Sequence, residues 1–425
     1  MNFVLGLVGL LIAGKAVAEI LLGELNRKNV IANSESVPEA FVGMIDPATY
    51  TKSVEYTLAK NSLSRIETCL DAIVLAAVVM SAILPWFYSR WTSAAGVSLW
   101  ASAAFLFLVG VLLSLPGLPL SWYAQFRLEA RFGFNTTTQR IWWMDRLKGL
   151  VLAVLLGYPL LMLVLKLVQW SGPAWWIYAW ATVMAFQLLM LVLAPSIIMP
   201  LFNKFTPLPT GSLRERLLAL GERTGFHARN IQVMDGSKRS KHSNAFFTGF
   251  GRWRKIVLFD TLVQQLLEPE LEAVLAHEIG HYKKRHIPKM ILFSAASLLG
   301  AFYIIAWLSH QSWFVRAFGF EVEQGIVPVL LLFALLSGLV TFWFSPLLHF
   351  WSRRYEYQAD RYAAEVMGES FSLRGALRKL NEKNLSNLTP HRAYSGFYYS
   401  HPTLTERERA LQLIPERKPA EAAIT

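Results

Sequence analysis

Residues 268–309 read EPELEAVLAHEIGHYKKRHIPKMILFSAASLLGAFYIIAWLS, a polar helical segment followed at once by a long apolar one. The apolar part begins near residue 287 and contains Lys289 as its single charged residue. Because a bilayer core about 30 Å thick needs ~20 apolar residues of helix, this part is predicted to cross a membrane. The polar part contains His277 and His281 within about one turn of helix. The stretch therefore predicts a membrane protein with a reactive site beside a span.

The composition of the 425-residue chain agrees with a membrane protein. Hydrophobic residues make up 54% of it and charged residues 16%, whereas a soluble globular chain is about a quarter charged. Seven apolar stretches are long enough, or nearly so, to span a bilayer. They are residues 3–24, 68–88, 97–122, 147–168, 173–202, 287–309 and 326–350. We expect the first to remain as an uncleaved span, because Met1 and Asn2 supply no positive start for a signal peptide.

The positive charges indicate an orientation in the membrane and not a nucleic-acid partner. The connections 89–96, 169–172 and 310–325 carry only Arg90 and Arg316 as positive residues, although the net charge is +12. Most Lys and Arg lie in the other connections, so the positive-inside rule predicts an external N-terminus and a cytoplasmic C-terminus. No compact recognition motif accompanies the charge, and we expect no nucleic-acid binding.

The spans divide the chain into four parts. Residues 1–203 are predicted to hold five spans, 204–286 a cytoplasmic α/β segment, 287–350 two spans, and 351–425 a cytoplasmic C-terminal segment. The elements predicted within 204–286 are a helix from Leu213 to Thr224 with Ser212 as N-cap, strands at Asn230–Met234, Ala245–Phe250 and Lys255–Phe259, and a helix from Glu268 to Lys284. The last ten or so residues are expected to be a disordered tail. The predicted fold class is all-α integral membrane with a small cytoplasmic α/β insertion.

The pentapeptide HEIGH at 277–281 is a candidate zinc motif. His277 and His281, at positions i and i+4, project from one helical face and can bind the same ion. Glu278 then faces the open coordination position, where it can accept a proton from water that the metal makes more acidic. The apolar residues Leu271 and Leu275 give this helix a face that packs, so the histidines are expected on a rigid element.

A second helical stretch, RYEYQAD at 354–360, supplies a candidate third ligand. Glu356 and Asp360 are also four residues apart and point the same way. One can bind zinc while the other accepts a hydrogen bond from a ligand imidazole. Two histidines and one glutamate with an open fourth position are the ligand set of catalytic zinc. The alternative is an exposed helix face on which both acids pair with neighbouring arginines.

An ordered series of motifs along the chain resembles the integral membrane CAAX prenyl protease type 1 family, a branch of the gluzincin metallopeptidases. The series is RFGFN at 131–135, PLFNKFTPLP at 200–209, SNAFFTGF at 243–250, HEIGH at 277–281, EYQAD at 356–360 and YSHP at 399–402. The resemblance implies seven membrane helices around a large chamber, with one Zn2+ per chain near the cytoplasmic face. It also implies endoproteolysis of peptide or protein substrates such as prenylated C-terminal CAAX peptides, beside a lipid bilayer.

The resemblance also assigns roles to single residues. It implies zinc ligation by His277, His281 and Glu356, general-base catalysis by Glu278, support of the site by Asp360 and Arg407, oxyanion or substrate contact by His401, and a substrate-pairing edge at Asn244, Ala245 and Phe246. For His401 the alternative is a cap on a helix near Thr403, and for Asn244 it is a turn residue. His242, His286 and His349 are expected to be structural.

The substrate and the host membrane are less specified by the sequence. The chain has no dilysine-type retention signal, and the connection to Glu356 is short, which favours a bacterial cytoplasmic membrane over the endoplasmic reticulum. One alternative function is a quality-control zinc metalloprotease that acts on non-prenylated membrane proteins. An alternative of another class is a non-catalytic membrane scaffold with structural zinc. Glu278 argues against the scaffold, because a structural site needs no acid beside its first histidine.

Overall fold

The computed structural model describes residues 3–226, 230–248 and 255–415. In these ranges the helices are α1 (Phe3–Ala32), α2 (Pro47–Met80), α3 (Ile83–Ala95), α4 (Leu99–Ser114), α5 (Leu118–Tyr123), α6 (Ala130–Phe132), α7 (Gln139–Leu152), α8 (Tyr158–Trp170), α9 (Trp175–Leu193), α10 (Met199–Phe202), α11 (Ser212–Arg223), α12 (Asp260–Gln265), α13 (Glu268–Lys283), α14 (His286–Ser309), α15 (Ser312–Ala317), α16 (Ile326–Thr341), α17 (Ser345–Met367), α18 (Phe371–Lys383), α19 (Arg392–Tyr398) and α20 (Leu404–Gln412). The strands are β1 (Phe205–Pro207), β2 (Asn230–Met234), β3 (Ala245–Thr248) and β4 (Lys255–Phe259). The predicted disordered tail lies outside the described residues.

The described part of the chain has six helical segments that are long and apolar enough to cross a membrane. They are Phe3–Ala32, Leu99–Phe132, Gln139–Trp170, Gly172–Phe202, His286–Ser309 and Ile326–Met367. The pair α2 and α3 passes the same test together, with a bend of 59° between them, which gives up to seven spans. Each predicted span coincides with one of these segments or with the bent pair, although the span predicted at 97–122 begins two residues before Leu99. The prediction of a membrane fold with about seven helices is confirmed.

Prolines explain where several of these segments change their helical geometry. Pro85 is the third residue of α3, where a backbone N–H has no intrahelical partner to lose, so the chain breaks before it and starts a new helix. Pro116 lies in a 3₁₀ turn at 115–117, and Pro195 lies in a π-helical turn at 194–198. Tighter and wider turns of this kind accommodate a missing hydrogen-bond donor within a long span.

The membrane helices pack on one another and leave large apolar side chains on their outer surface. Phe105 of α4 and Leu332 of α16 are fully buried in a core that these helices share. By contrast Leu10, Trp100 and Leu292 are largely exposed. Apolar surface on this scale is typical of a protein that faces lipid.

A small four-stranded sheet accompanies the helix with the HEIGH motif. Its order is β1-β2-β4-β3, with β2 parallel to β4 and the two outer strands antiparallel to their neighbours. The strands predicted at β2 and β4 are confirmed with their bounds. β1 was not predicted, because three residues that include a proline give no strand signal. The predicted strand Ala245–Phe250 begins at Ala245 as expected, and its end lies outside the described residues.

The helix α11 begins one residue earlier than predicted. Ser212 is its first residue and Gly211 occupies the N-cap position. The Ser212 hydroxyl donates a hydrogen bond to the Glu268 carboxylate at 2.5 Å and does not cap its own helix. The prediction of Ser212 as N-cap is therefore wrong. Its side chain instead links α11 to the start of α13.

Candidate active site

The helices α13 and α17 meet at a glycine. A Cβ atom added at Gly280 would lie 3.0 Å from the Cα of Ala359 and 3.1 Å from its carbonyl oxygen, closer than ordinary van der Waals contact. Glycine therefore allows the two backbones to approach. The contact lies within one turn of the histidines on α13 and of the carboxylates on α17, and it sets the distance between them.

The three predicted zinc ligands come together where these helices meet. The Nε2 atoms of His277 and His281 are 3.2 Å apart. The Glu356 carboxylate places Oε2 at 3.4 Å from Nε2 of His277 and Oε1 at 3.4 Å from Nε2 of His281. His277 is 7% exposed and Glu356 is 4% exposed. The prediction of an exposed acidic helix face at Glu356 and Asp360, the alternative, is wrong.

The separations of these atoms fit a metal ion. A tetrahedral zinc site with metal–ligand distances of about 2.0–2.1 Å has edges of about 3.3–3.4 Å. The two histidine nitrogens are 3.2 Å apart, and each lies 3.4 Å from one of the two oxygens of Glu356, which is close to this spacing. Glu356 Oε2 is buried and has no hydrogen-bond partner among the described residues. A buried carboxylate oxygen without a partner is costly, and a bound cation would satisfy it. His277, His281 and Glu356 are thus the residues that could hold the metal.

Asp360 and Arg407 lie on the Nδ1 side of His277, away from the nitrogen that faces the other candidate ligands. The Nδ1 atom of His277 donates a hydrogen bond to Asp360 Oδ1 at 2.8 Å. Arg407 donates to both carboxylate oxygens of Asp360, at 2.6 and 2.8 Å. An imidazole that donates through Nδ1 presents Nε2 as a lone pair, which is the form that binds a metal. The predicted supporting residues therefore lie where that role requires them.

His281 has a different partner, His286, which the sequence predicts to be a structural residue. Nδ1 of His286 lies 3.0 Å from Nδ1 of His281, and Nε2 of His286 lies 3.0 Å from Gln358 Oε1. The ring of His286 is buried and stacks on Tyr355 with centroids 4.1 Å apart. If His281 presents Nε2 to a metal, its Nδ1–H donates to His286, whose own proton then lies on Nε2 and is donated to Gln358. The hydrogen bonds that run from His281 through His286 to Gln358 thus orient the ring of His281.

A left-handed residue brings His286 into this position. Arg285 has φ 55° between the end of α13 and the start of α14. That turn reverses the chain, so His286 faces His281 although it begins the next helix. A spacing of five residues gives no helical-face signal, which explains why the sequence did not reveal the contact.

The electrostatics of the site favour a cation. Burial is the largest single influence on His277 and works against its protonation, but the interactions with Asp360 and Glu356 together outweigh it and raise the pKa to about 9. The same negative surroundings would attract a metal ion to Nε2. Burial also raises the pKa of Glu278 above its ordinary value, and the neighbouring histidines oppose this shift. A glutamate with a raised pKa suits a group that accepts and returns a proton.

A cavity of about 880 Å³ is lined by His401, Arg407 and side chains of α2. It is connected to the candidate ligands through His401 and Arg407, which both lie within 4 Å of the Glu356 carboxylate. Nε2 of His401 lies 3.4 Å from Glu356 Oε1, and its side chain is 63% exposed. Thr403 caps α20 through a reciprocal contact with Glu406, so His401 is not the cap of that helix. His401 is therefore free to face a bound molecule in the cavity.

The predicted substrate edge lies on β3. Ala245 pairs with Leu258 and Phe246 with Val257, so one side of β3 is bonded to β4. The other side is an edge of the described sheet. The Asn244 side chain accepts a hydrogen bond from the backbone N–H of Ala245. The backbone of β3 is therefore available for pairing along this edge of the described sheet.

Two family models and several known proteins match this chain. Residues 26–204 match the family model described as CAAX prenyl protease N-terminal, five membrane helices, and residues 207–414 match peptidase family M48. CAAX prenyl protease 1 of Saccharomyces cerevisiae is 36% identical over 416 residues, which cover 90% of each chain. The human CAAX prenyl protease 1 homolog is 30% identical and covers 94% of this chain and 93% of its own.

The chain belongs to the CAAX prenyl protease branch of peptidase family M48. The crystal structure of S. mikatae Ste24p superposes with a TM-score of 0.85 at 35% identity, covering 95% of this chain and 98% of that one. The CAAX prenyl protease fold predicted from the sequence is thus confirmed. As a family member, the chain is a multi-pass membrane zinc metalloendopeptidase that acts on a peptide or protein substrate.

We expect Gly280→Ala to disturb this CAAX protease site through packing alone. The added methyl group must push α17 away, which costs about 1–3 kcal/mol, although alanine is about 1 kcal/mol better in a helix. The variant should lose zinc to a chelator faster than the native protein and unfold at a lower temperature. Gly300→Ala is the matched control, because a Cβ there meets open space in α14. Equal behaviour of the two variants would refute the packing argument.

We expect His286→Ala to weaken metal binding without removing a ligand. Loss of the partner that orients a ligand histidine typically costs about 10- to 100-fold in metal affinity. The measurement is the zinc dissociation constant, obtained by competition with a chelator in detergent. His391→Ala is the control, since His391 only caps α19. An unchanged dissociation constant in His286→Ala would show that this histidine does not orient His281.

Proposed function

We propose that this metallopeptidase holds one Zn2+ per chain and cleaves prenylated peptides near their C-terminus, inside the cavity beside the zinc site. The observation that carries the proposal is that His401 and Arg407, which contact Glu356 of the His277, His281 and Glu356 cluster, line a cavity that also includes residues of the membrane-associated helix α2. A substrate with a lipid and a short peptide needs access to both environments. The names of the relatives, which match over about nine-tenths of both chains, support this substrate class.

In this proposal the residues of the cluster and their neighbours have different roles. His277, His281 and Glu356 hold the metal, and Asp360 and Arg407 orient His277. Zinc, when bound, supplies Lewis acidity, which makes water more acidic and polarises a carbonyl group. The three protein ligands leave a fourth position open, as catalytic zinc requires and structural zinc does not. This argues against a non-catalytic scaffold.

Glu278 is the proposed general base. It accepts a proton from the attacking water as the new C–O bond forms at the scissile carbonyl carbon. It then gives the proton to the departing amide nitrogen as the C–N bond breaks, so that one peptide leaves with a new carboxylate and the other with a new amine. The raised pKa of Glu278 favours the protonated form needed for the second transfer. His401 donates a hydrogen bond to the carbonyl oxygen as it becomes negative.

The edge strand β3 is the proposed substrate platform. Asn244, Ala245 and Phe246 offer backbone groups with which an extended peptide can pair as an added strand. Affinity then comes from main-chain hydrogen bonds that do not depend on the substrate sequence. Selectivity for particular side chains of the substrate then depends on the residues that line the cavity.

The proposed orientation places the N-terminus outside and the site on the cytoplasmic side. It rests on the concentration of Lys and Arg in the connections that include 204–286 and 351–425. The proposed division of the chain, five spans before residue 204 and two between 287 and 350, follows the same argument. The bacterial cytoplasmic membrane remains the predicted location.

The test compares the native protein with Glu278→Gln on two substrates, a farnesylated CAAX peptide and its unprenylated twin. We expect zinc to be retained in both proteins, because Glu278 is not a ligand. Cleavage should fall at least about a hundredfold in Glu278→Gln. The native protein should cleave the farnesylated peptide faster. Sealed inside-out vesicles should cleave it without being opened, as a cytoplasmic site requires.

The outcomes separate the candidate functions. Equal cleavage of the two peptides favours the quality-control protease over a prenyl protease. Cleavage that persists in Glu278→Gln removes Glu278 from the mechanism. Retention of zinc by a native protein that cleaves neither peptide nor an unrelated membrane protein would support the scaffold.

A further inference from the structure

The helix α2 presents a polar stripe to the cavity. Tyr56, Lys60, Ser64 and Glu67 all line it, and their spacing of four, four and three residues places them on one face of the helix. This face lies in the half of α2 that precedes its apolar end. A binding cavity commonly has a few polar groups that fix the orientation of its ligand. This stripe supplies such groups on one wall of the cavity.

Lys60 is the cation of this stripe, and its charge is not neutralised by contact. Its Nζ lies over the Tyr56 ring at 5.1 Å from the centroid. Within the described ranges it forms no ion pair, and it is exposed to the cavity. Arg407, the other permanent cation on the cavity wall, is already bound by both oxygens of Asp360. Lys60 is thus the cation that remains available to an anionic ligand.

Glu129, an acid within electrostatic range of Lys60, has other partners. Glu129 accepts a hydrogen bond from the Tyr56 hydroxyl at 2.6 Å, and its second oxygen lies 3.3 Å from Nε2 of His242. Lys60 lies within electrostatic range of Glu129 but not in contact with it. Tyr56 and His242 therefore hold the glutamate carboxylate in place and leave the ammonium group of Lys60 to face the cavity.

His242 connects this cavity wall to the proposed substrate strand. It lies two residues before Asn244, and it is held by Glu129, by Asn384 at 3.0 Å and by stacking on Phe134. The amino end of β3 is therefore anchored beside Tyr56 and Lys60. A peptide added antiparallel to β3 runs towards this end with its own carboxyl end. The C-terminus of such a substrate enters the part of the cavity that contains Lys60.

We propose that Lys60 binds the C-terminal carboxylate of the substrate and so favours cleavage of peptides that end in a free acid. This inference rests on the proposed function. A C-terminal tripeptide in extended form is roughly 10 Å long, short enough to lie within the cavity that both His401 and Lys60 line. An internal peptide segment has no carboxylate at this point and leaves the ammonium group without a partner. The ligand is a free peptide carboxylate.

The test compares a farnesylated CAAX peptide that ends in a free acid with the same peptide ending in a carboxamide. Hydrogen bonds to charged groups are strong enough for a preference of about 10- to 100-fold. We expect the native protein to show this preference for the acid in kcat/KM. Lys60→Gln should cleave the acid as slowly as the amide, with its rate on the amide unchanged. Lys60→Arg should keep most of the preference.

Lys52→Gln is the matched control, because Lys52 lies on the same helix and does not line the cavity. It should keep the native preference for the acid. Amide cleavage by Lys60→Gln at the native rate shows that the variant is folded. An equal preference in Lys60→Gln and the native protein overturns the role of Lys60 but not the proposed protease. No preference in the native protein overturns carboxylate recognition altogether. A native protein that cleaves neither peptide overturns the proposed function, and this inference with it.

Discussion

Gly280 allows the backbone of α13 to approach that of α17 at Ala359 more closely than any side chain would permit. The two candidate histidines come from one of these helices and the two carboxylates from the other, far apart in sequence. Their ligand atoms must meet within a few tenths of an ångström of tetrahedral spacing to hold zinc. Every later feature of the site, from the orientation of His277 to the position of the cavity, depends on this contact.

The same contact connects the site to the membrane. The segment Ile326–Met367 is helical throughout and includes both a predicted span and the acids Glu356 and Asp360. A displacement of this span would thus move a candidate ligand directly. The two histidines have different partners. His277 donates to the Asp360 carboxylate, which Arg407 binds, and His281 contacts the imidazole of His286.

Residue patterns that are local in sequence were predicted well. The apolar spans, β2, β4 and the spacing of HEIGH and EYQAD depend on periodicity within one element, which the sequence states directly. The contact of His281 with His286 depends on a left-handed turn at Arg285, and the network around His242 joins elements more than a hundred residues apart. Neither has a periodic signal. The resemblance to a known family supplied the roles of His401 and Arg407, which spacing alone does not indicate.

The central claim is that His277, His281 and Glu356 hold one zinc ion between α13 and α17. The most direct test is the zinc content per chain of the native protein, of Glu356→Gln and of Glu365→Gln, measured after purification in detergent and dialysis against a mild chelator. Glu365 is the matched control, because it lies on the same helix, is half exposed and pairs weakly with Arg361. We predict one zinc per chain in the native protein and in Glu365→Gln, and its loss in Glu356→Gln. Full zinc content in Glu356→Gln would contradict this account of the site.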